Sequence, residues 1–448
     1  MRLILIALLL PISALASVDD AKSFLEDTYA TDRPGASVII MKDGEILHQA
    51  GYGLANVEWG IPITPDTVFR VGSVTKQFTG AAIMLLEQRG LLSVDDPIEK
   101  YLPDYPTHGH VITIEMLLNH TSGIKSYTGI DGYMDQAIRT DLTTDELIDV
   151  FRNQPMDFAP GDDWRYNNSG YVLLGAIIEE VSGQSYEAFI ADNIAVPLDL
   201  NDTYYGGPKL IPNRASGYRM GEDGNIENAA FLSMTQPHAA GSLLSTTGDL
   251  AIWHKALTGG EFIHDDSYEM MTSVANLNNG ETFPYGYGLG IGQMRSRDMI
   301  SHGGGIHGFT CYSLYLPDED LYVAVLTNGA TGAPGPGTIA KKIAAMTVGD
   351  PYPDRVPTEL GDADLAGLAG TYVSDEFPPV ELSVVEGEIH MSFNGSPADV
   401  LLAESRELLF EEDAIDYIEV EWEGSAARRL MFHYEEGAPP EIAERVEE

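Results

Sequence analysis

Cysteine is nearly absent: Cys311 is the one thiol in 448 residues, so no intrachain disulfide framework can hold this chain together. It sits in Phe309-Thr310-Cys311-Tyr312-Ser313, which alternates as a strand does, and reads as a small buried side chain rather than a nucleophile. Basic residues are scarce as well. Lysine and arginine total 25 against 69 acids, a formal charge of −44 that repels nucleic acid and anionic membrane surfaces and excludes both as partners. The acids are spread along the chain and thicken after Glu404, the pattern of a solvated acidic surface rather than of a recognition patch. No H-E-x-x-H occurs and the eleven histidines are scattered, so no metal and no cofactor is expected. No G-x-S-x-G occurs either, which disfavours a nucleophile-elbow hydrolase.

Long apolar runs are also missing, apart from the start of the chain. Arg2 supplies charge, Leu3 to Leu10 an apolar run too short to span a bilayer, and Ala14-Leu15-Ala16 a small-residue cleavage pattern. Residues 1–16 therefore read as a signal peptide with a mature start near Ser17. The expected location is periplasmic or secreted, with no membrane association once the leader is removed.

What the chain has is Ser73-Val74-Thr75-Lys76, running into the apolar-periodic stretch Gln77 to Arg89, which ends at Gly90. Residues three apart on a helix are neighbours, so the Lys76 amine can reach the Ser73 hydroxyl and, if unprotonated, take its proton. A second S-x-x-K, Ser122-Gly123-Ile124-Lys125, follows a helix instead of opening one, and its glycine marks it as a turn. A helix N-terminus also offers free N–H groups to developing negative charge, the other requirement of acyl transfer.

Two more segments follow in order: Tyr166-Asn167-Asn168-Ser169-Gly170-Tyr171, and Ser301-His302-Gly303-Gly304-Gly305-Ile306-His307-Gly308-Phe309. Leu117-Leu118-Asn119-His120-Thr121-Ser122-Gly123-Ile124 lies between the first two elements. Together they resemble the class C β-lactamase-like serine hydrolases, a group of penicillin-binding DD-peptidases, D-aminopeptidases, amidases, β-lactamases and esterases. The resemblance runs from about Ala36 to about Asn328. It implies a covalent acyl-enzyme on Ser73, with Lys76 and Tyr166 sharing the proton transfers and Tyr166 favoured to protonate the leaving group. Lysine is ordinarily protonated and tyrosine a weak acid, so which of them is the base stays open.

The resemblance further implies that Asn168 holds Lys76 and the substrate amide, and that the N–H groups of Ser73 and Gly305 form the oxyanion hole. His302-Gly303-Gly304 stands where penicillin-recognising relatives carry Lys-Thr-Gly. Glycines there let a substrate backbone approach an edge strand, which makes His302 and Gly304 candidate substrate-binding residues. A histidine would supply a weaker, pH-dependent positive charge than lysine and hold a β-lactam carboxylate less firmly. The expected substrates are then small peptides, amides or esters, most like those of the D-aminopeptidase and DD-peptidase members. Carboxylesterase and weak β-lactamase activity are alternatives. A penicillin-binding acyl trap without turnover would use the same residues. His307 reads as structural.

For organisation, Ala36 to Met41 and Glu45 to Ala50 form a hairpin about Asp43-Gly44. Helical patterns follow at Asp145 to Asn153, behind the capping box Thr143 to Glu146, at Tyr171 to Val181 and at Thr247 to Leu257. Strand patterns return at Phe309 to Leu316 and Leu321 to Thr327, before a helix near Ile339 to Met346. Hairpins split around a helical insertion give an α+β class; the resemblance implies an antiparallel sheet flanked by helices, with an all-helical subdomain. The hydrolase domain is expected over 17–349. Asp350-Pro351-Tyr352-Pro353-Asp354 opens a proline-rich linker, 350–360, and over 361–448 short alternating segments at Gly370 to Val373, Val380 to Val385, Ile389 to Phe393, Glu407 to Phe410, Tyr417 to Trp422 and Arg429 to Tyr434 argue for a small β-barrel or meander, which the resemblance implies is lipocalin-like.

Overall fold

In the computed structural model, which describes residues 12–374, 377–396, 398–434 and 439–446, the chain divides into two compact units. One comprises residues up to Gly292 with Asp298–Ala344; the other comprises Gln293–Arg297 with Ala345 onward. Most of the expected leader, residues 1–11, lies outside the described residues; a helix, α1, follows over Ile12–Thr28. Among the described residues no helix is long and apolar enough to cross a membrane.

The first unit is built on β1 (Ala36–Lys42), β2 (Glu45–Tyr52), β3 (Gly290–Met294), β4 (Arg297–Ile306), β5 (Phe309–Leu316) and β6 (Leu321–Thr327), the residues Gln293–Arg297 at the tip of the β3–β4 hairpin being counted with the other unit. They form one sheet in the order β3-β4-β5-β6-β1-β2. Chain order and sheet order differ because the N-terminal hairpin inserts beside the C-terminal strand β6, with Val38 opposite Val325. Leu321-Tyr-Val-Ala-Val-Leu-Thr327 is buried at every position, as expected of an inner strand covered on both faces. On one face Ile39, Met41, Tyr322 and Ala324 pack with Ala251 of the helix Thr247–Thr258. The two-residue turn Asp43-Gly44, both with positive φ, fixes the hairpin register Lys42 to Glu45.

In chain order the helices fall between β2 and β3, including α2 (Thr75–Gln88), α3 (Ile114–Leu118), α4 (Thr144–Phe151) and α5 (Asn168–Ser182). The Thr143–Glu146 capping box opens α4 with both reciprocal bonds. Helix α5 starts three residues before its apolar pattern does, because Asn167 caps it, its side-chain oxygen accepting from Gly170 N–H at 2.9 Å. That brings Asn168 into the first helical turn.

Helix α2 is buried from Thr75 to Leu86, polar residues included. Their groups are satisfied locally. Thr75 Oγ1 accepts from the Leu243 N–H at 3.1 Å, Thr79 Oγ1 donates to the Ala239 carbonyl at 2.7 Å, and Gln77 accepts from Trp253 Nε1 at 3.3 Å. Phe78 stacks on Trp253 with ring centroids 4.2 Å apart. A helix locked this way presents Lys76 in one place.

The second unit contains a closed eight-stranded antiparallel barrel: β7 (Gly370–Val373), β8 (Val380–Val385), β9 (Glu388–Phe393), β10 (Asp399–Ser405), β11 (Leu408–Glu411), β12 (Tyr417–Glu423), β13 (Ala426–His433) and β14 (Glu441–Arg445). Closure is by Tyr372 opposite Arg445. Strands β10 and β14 escaped the sequence reading, since each turns only small or few apolar groups inward, Leu401 and Ala403 in one and Ala443 in the other. The proline-rich stretch is tied to the barrel: Thr358 N–H donates to the Ala403 carbonyl at 2.7 Å and Arg355 pairs with Glu404 at 2.9 Å.

Candidate active site

Ser73 lies in a single 3-10 turn, Gly72–Val74, that leads into α2, and no side-chain cap closes the helix start. Its hydroxyl is therefore not consumed as an N-cap. Gly72 has φ +49°, and a Cβ on it would come within 3.0 Å of the Gly305 nitrogen. The glycine is what lets strand β4 approach the serine.

Lys76 Nζ is 3.2 Å from Ser73 Oγ, 2.8 Å from Asn168 Oδ1 and 2.8 Å from the Ala240 carbonyl. The side chain is fully buried, and that burial pushes its pKa well below that of an ordinary lysine. A neutral amine has two N–H bonds and one lone pair. Asn168 Oδ1 and the Ala240 carbonyl can only accept, so Lys76 donates to both; whenever the amine is neutral, these two bonds use both of its N–H groups and its lone pair faces the Ser73 hydroxyl. Lys76 also stands over two aromatic faces, 4.7 Å from the Tyr166 centroid and 5.2 Å from that of Tyr171.

Tyr166 stands beside Ser73, and burial of its hydroxyl raises its pKa above the usual phenol value, with the Ser73 hydroxyl a smaller, opposing influence. It is a neutral phenol at neutral pH. Asn168 Nδ2 donates to Thr128 Oγ1 at 3.1 Å, which fixes the carboxamide orientation.

His302 requires a correction. The ring is buried, Nδ1 lies 2.6 Å from the Gly303 carbonyl, and Nε2 lies 2.7 Å from the Tyr285 hydroxyl. A carbonyl can only accept, so Nδ1 carries the proton and Nε2 accepts from the phenol. Burial, with a smaller contribution from Lys76, holds the pKa down to about 4. His302 is thus a neutral imidazole, not the pH-dependent positive charge expected in place of lysine. Its ring is one layer removed from the serine, 6.3 Å from the Tyr166 ring centroid. His120 also stands beside Tyr166, ring centroids 4.5 Å apart, and its Nδ1 accepts from the Asn167 N–H at 3.2 Å.

Gly304 differs from expectation too. A Cβ there would meet the Val71 carbonyl oxygen at 2.1 Å and Cys311 Sγ at 2.6 Å, so this glycine admits the segment before Ser73. Cys311, buried as expected, donates its S–H to Val71 at 3.0 Å. Beside Ser73 opens a cavity of about 370 Å³ whose wall includes Tyr127, Asn168, Ala240, Gly305, Ile306 and His307. Neither His302 nor Gly304 is part of that wall. His307, read as structural, is part of it, with Nδ1 held 3.2 Å from the Ala230 carbonyl. The second S-x-x-K is spent on structure: Ser122 is buried and Lys125 pairs with Asp157 at 3.1 Å. Ser73, Lys76, Tyr166 and Asn168 are brought together; Ala240 and Tyr285, which hold Lys76 and His302, were not singled out for those roles by sequence.

A model of the Beta-lactamase family matches residues 21–346. The chain belongs to that family. Within it, the chain is 27% identical over 427 residues to Penicillin-binding protein 4* of Bacillus subtilis, covering 90% of this chain and 94% of that protein. It is 29% identical over 357 residues to a D-aminopeptidase of Gluconobacter oxydans, covering 77% of this chain and 63% of the relative. Among solved structures, the octameric penicillin-binding protein homologue of Pyrococcus abyssi superposes with a TM-score of 0.67 at 28% identity, covering 97% of this chain and 100% of that one. A D-stereospecific amidohydrolase from Streptomyces gives 0.61 at 28% identity, covering 75% and 98%. The first likeness extends over both units, whereas the second covers three quarters of the chain.

Proposed function

We propose that this member of the Beta-lactamase family is a serine hydrolase that cleaves small peptides, amides or esters through an acyl-enzyme on Ser73. The observation that carries the reading is the placement of one hydroxyl between the Lys76 amine at 3.2 Å and the Tyr166 phenol, at the mouth of a cavity. Lys76 takes the Ser73 proton as Oγ attacks the substrate carbonyl. The tetrahedral oxyanion is met by the N–H groups of Ser73 and Gly305. Strand pairing supports the second donor: Ile306 and Phe309 close the β4–β5 hairpin, so in the alternating ladder Gly305, opposite Thr310, turns its N–H away from β5.

Collapse of the intermediate breaks the bond to the leaving nitrogen or oxygen, which takes a proton from Tyr166. The Lys76 ammonium then restores the phenol. Water attacks the ester by the same route, giving a proton to the Tyr166–Lys76 pair, which returns one to Ser73 Oγ as the ester bond breaks and so regenerates the hydroxyl. Relatives named D-aminopeptidase and D-stereospecific amidohydrolase support amides and short peptides as the substrate class. The neutral His302 favours them over β-lactams, whose carboxylate gains no cation from that residue. Export through cleavage after Ala16 belongs to the same reading, and N-terminal sequencing of the secreted protein checks it.

The test is a panel of D- and L-aminoacyl p-nitroanilides, p-nitrophenyl esters and nitrocefin against wild type and Ser73→Ala. Sustained turnover lost on every substrate in the variant supports the hydrolase. One stoichiometric burst without turnover points to an acyl trap, and residual turnover by Ser73→Ala removes the assignment.

A further inference from the structure

Apart from His307, whose Nδ1 is held 3.2 Å from the Ala230 carbonyl, the cavity beside Ser73 is walled by groups that carry no charge. Met134, Ile138, Leu232, Pro237 and Ile306 supply an apolar surface, and no Asp, Glu, Lys or Arg lies in the wall among the described residues. Its polar groups are largely spent on the protein itself. Gln236 accepts from the Tyr133 hydroxyl at 2.5 Å and donates to the Thr140 carbonyl at 2.7 Å. The Tyr127 hydroxyl donates to the Gln236 carbonyl at 2.9 Å, and Asn168 is held between Lys76 and Thr128. A formal charge entering this space would lose hydration, a cation meeting no carboxylate in the wall and an anion no lysine or arginine.

From this wall we infer that the site selects acyl groups that carry no charge: N-blocked, apolar or aromatic residues rather than free α-ammonium ones. The inference rests on the hydrolase reading for the place of the cavity beside the reacting carbon, and it narrows that reading. A free amino terminus, the substrate form implied by an aminopeptidase, is disfavoured in this chain even though a relative bears that name. The protein's charge of −44 pulls the other way, since it draws cations toward the surface. That field is screened over roughly 8 Å at physiological ionic strength, whereas the loss of hydration inside the cavity is local and unscreened. The local effect decides which ligand stays.

Binding to the intact Ser73→Ala chain tests this without turnover. Isothermal titration at pH 6.5 compares N-acetylphenylalaninamide with phenylalaninamide, in both enantiomers, and N-acetylglutamic acid amide as the anionic counterpart. The blocked phenylalanine derivative of the better enantiomer should bind at least about tenfold more tightly than either charged ligand, the penalty expected for an unpaired charge in an apolar site. Met134→Glu, a change at a partly exposed wall position, should reduce the preference over phenylalaninamide by about tenfold by providing a counter-ion. Equal or tighter binding of phenylalaninamide by the Ser73→Ala chain, or no measurable binding of the blocked amide, overturns the inference. Neither result bears on whether Ser73 is acylated, which the substrate panel decides separately.

Discussion

The Tyr285 hydroxyl donates to His302 Nε2 across 2.7 Å, and His302 Nδ1 donates to the Gly303 carbonyl across 2.6 Å. With both ring nitrogens committed and no carboxylate among these partners, the imidazole has no use for a second proton. Its pKa falls from 6.5 to about 4 through burial first and Lys76 second. Because the folded value lies below the unfolded one, the unfolded chain binds more protons between those limits. The stability held by neutral His302 is present above pH 6.5 and is lost as pH falls through about 4. His254, held down to about 3 by burial, acts in the same direction. Thermal unfolding followed at pH 7.5 and pH 5 should show a lower Tm at pH 5, by roughly a few degrees. His302→Asn should flatten that dependence.

Burial holds the Lys76 pKa well below that of an ordinary lysine, and with no carboxylate among its hydrogen-bond partners nothing there offsets that effect. Asn168→Asp places an anion 2.8 Å away in the same geometry. An opposite charge stabilises the ammonium and raises the Lys76 pKa. The activity limb governed by a deprotonated base then moves to higher pH: kcat/KM for p-nitrophenyl acetate should drop by about tenfold or more at pH 7 and recover in part as pH rises. An unchanged pH profile would contradict Lys76 as the base.

Tyr166 is assigned to the leaving group, so its loss should depend on what leaves. An amide nitrogen must be protonated as it departs, whereas p-nitrophenolate is stable without a proton. Tyr166→Phe should lower kcat on p-nitroanilides by about 10²-fold or more, the size expected of a general acid, and affect p-nitrophenyl esters much less. Equal losses on both would assign the phenol to another step.

Gly304 fills a place with no room for a side chain, since a Cβ would lie 2.1 Å from the Val71 carbonyl oxygen. Gly304→Ala must displace either β4 or the segment that carries Gly72 and Ser73. Overpacking of this kind costs about 1–3 kcal/mol, read as a lower denaturant midpoint, and kcat should fall with it. Ser122→Ala, in the unrelated turn, should leave the rate within a few fold.

The serine and lysine were legible because their contact is local: three residues apart, across the 3-10 turn and the first turn of α2, they meet whatever the rest of the fold does. Tyr166 and Asn168 were reached through their order along the chain relative to Ser73. The partners that set the electrostatics were not legible, for a physical reason in each case. Ala240 acts through its backbone carbonyl, which every residue type possesses. Tyr285 resembles many other buried tyrosines until its hydroxyl is seen on His302. His302 itself was assigned the wrong charge because protonation depends on burial and on the group facing each ring nitrogen, neither of which a motif encodes. In the barrel, strands Asp399–Ser405 and Glu441–Arg445 were missed because closure by neighbouring strands, rather than a strong alternating pattern, keeps them in place.

The most direct test of the account is the site of acylation. The wild-type protein is mixed with a slow p-nitrophenyl ester, quenched in acid within the burst and mapped by peptide mass spectrometry. The account predicts a single acyl increment on the peptide containing Ser73, absent from Ser73→Ala and reduced in Lys76→Ala. An increment on Ser122 or elsewhere, or steady turnover with Ser73 never modified, would contradict it.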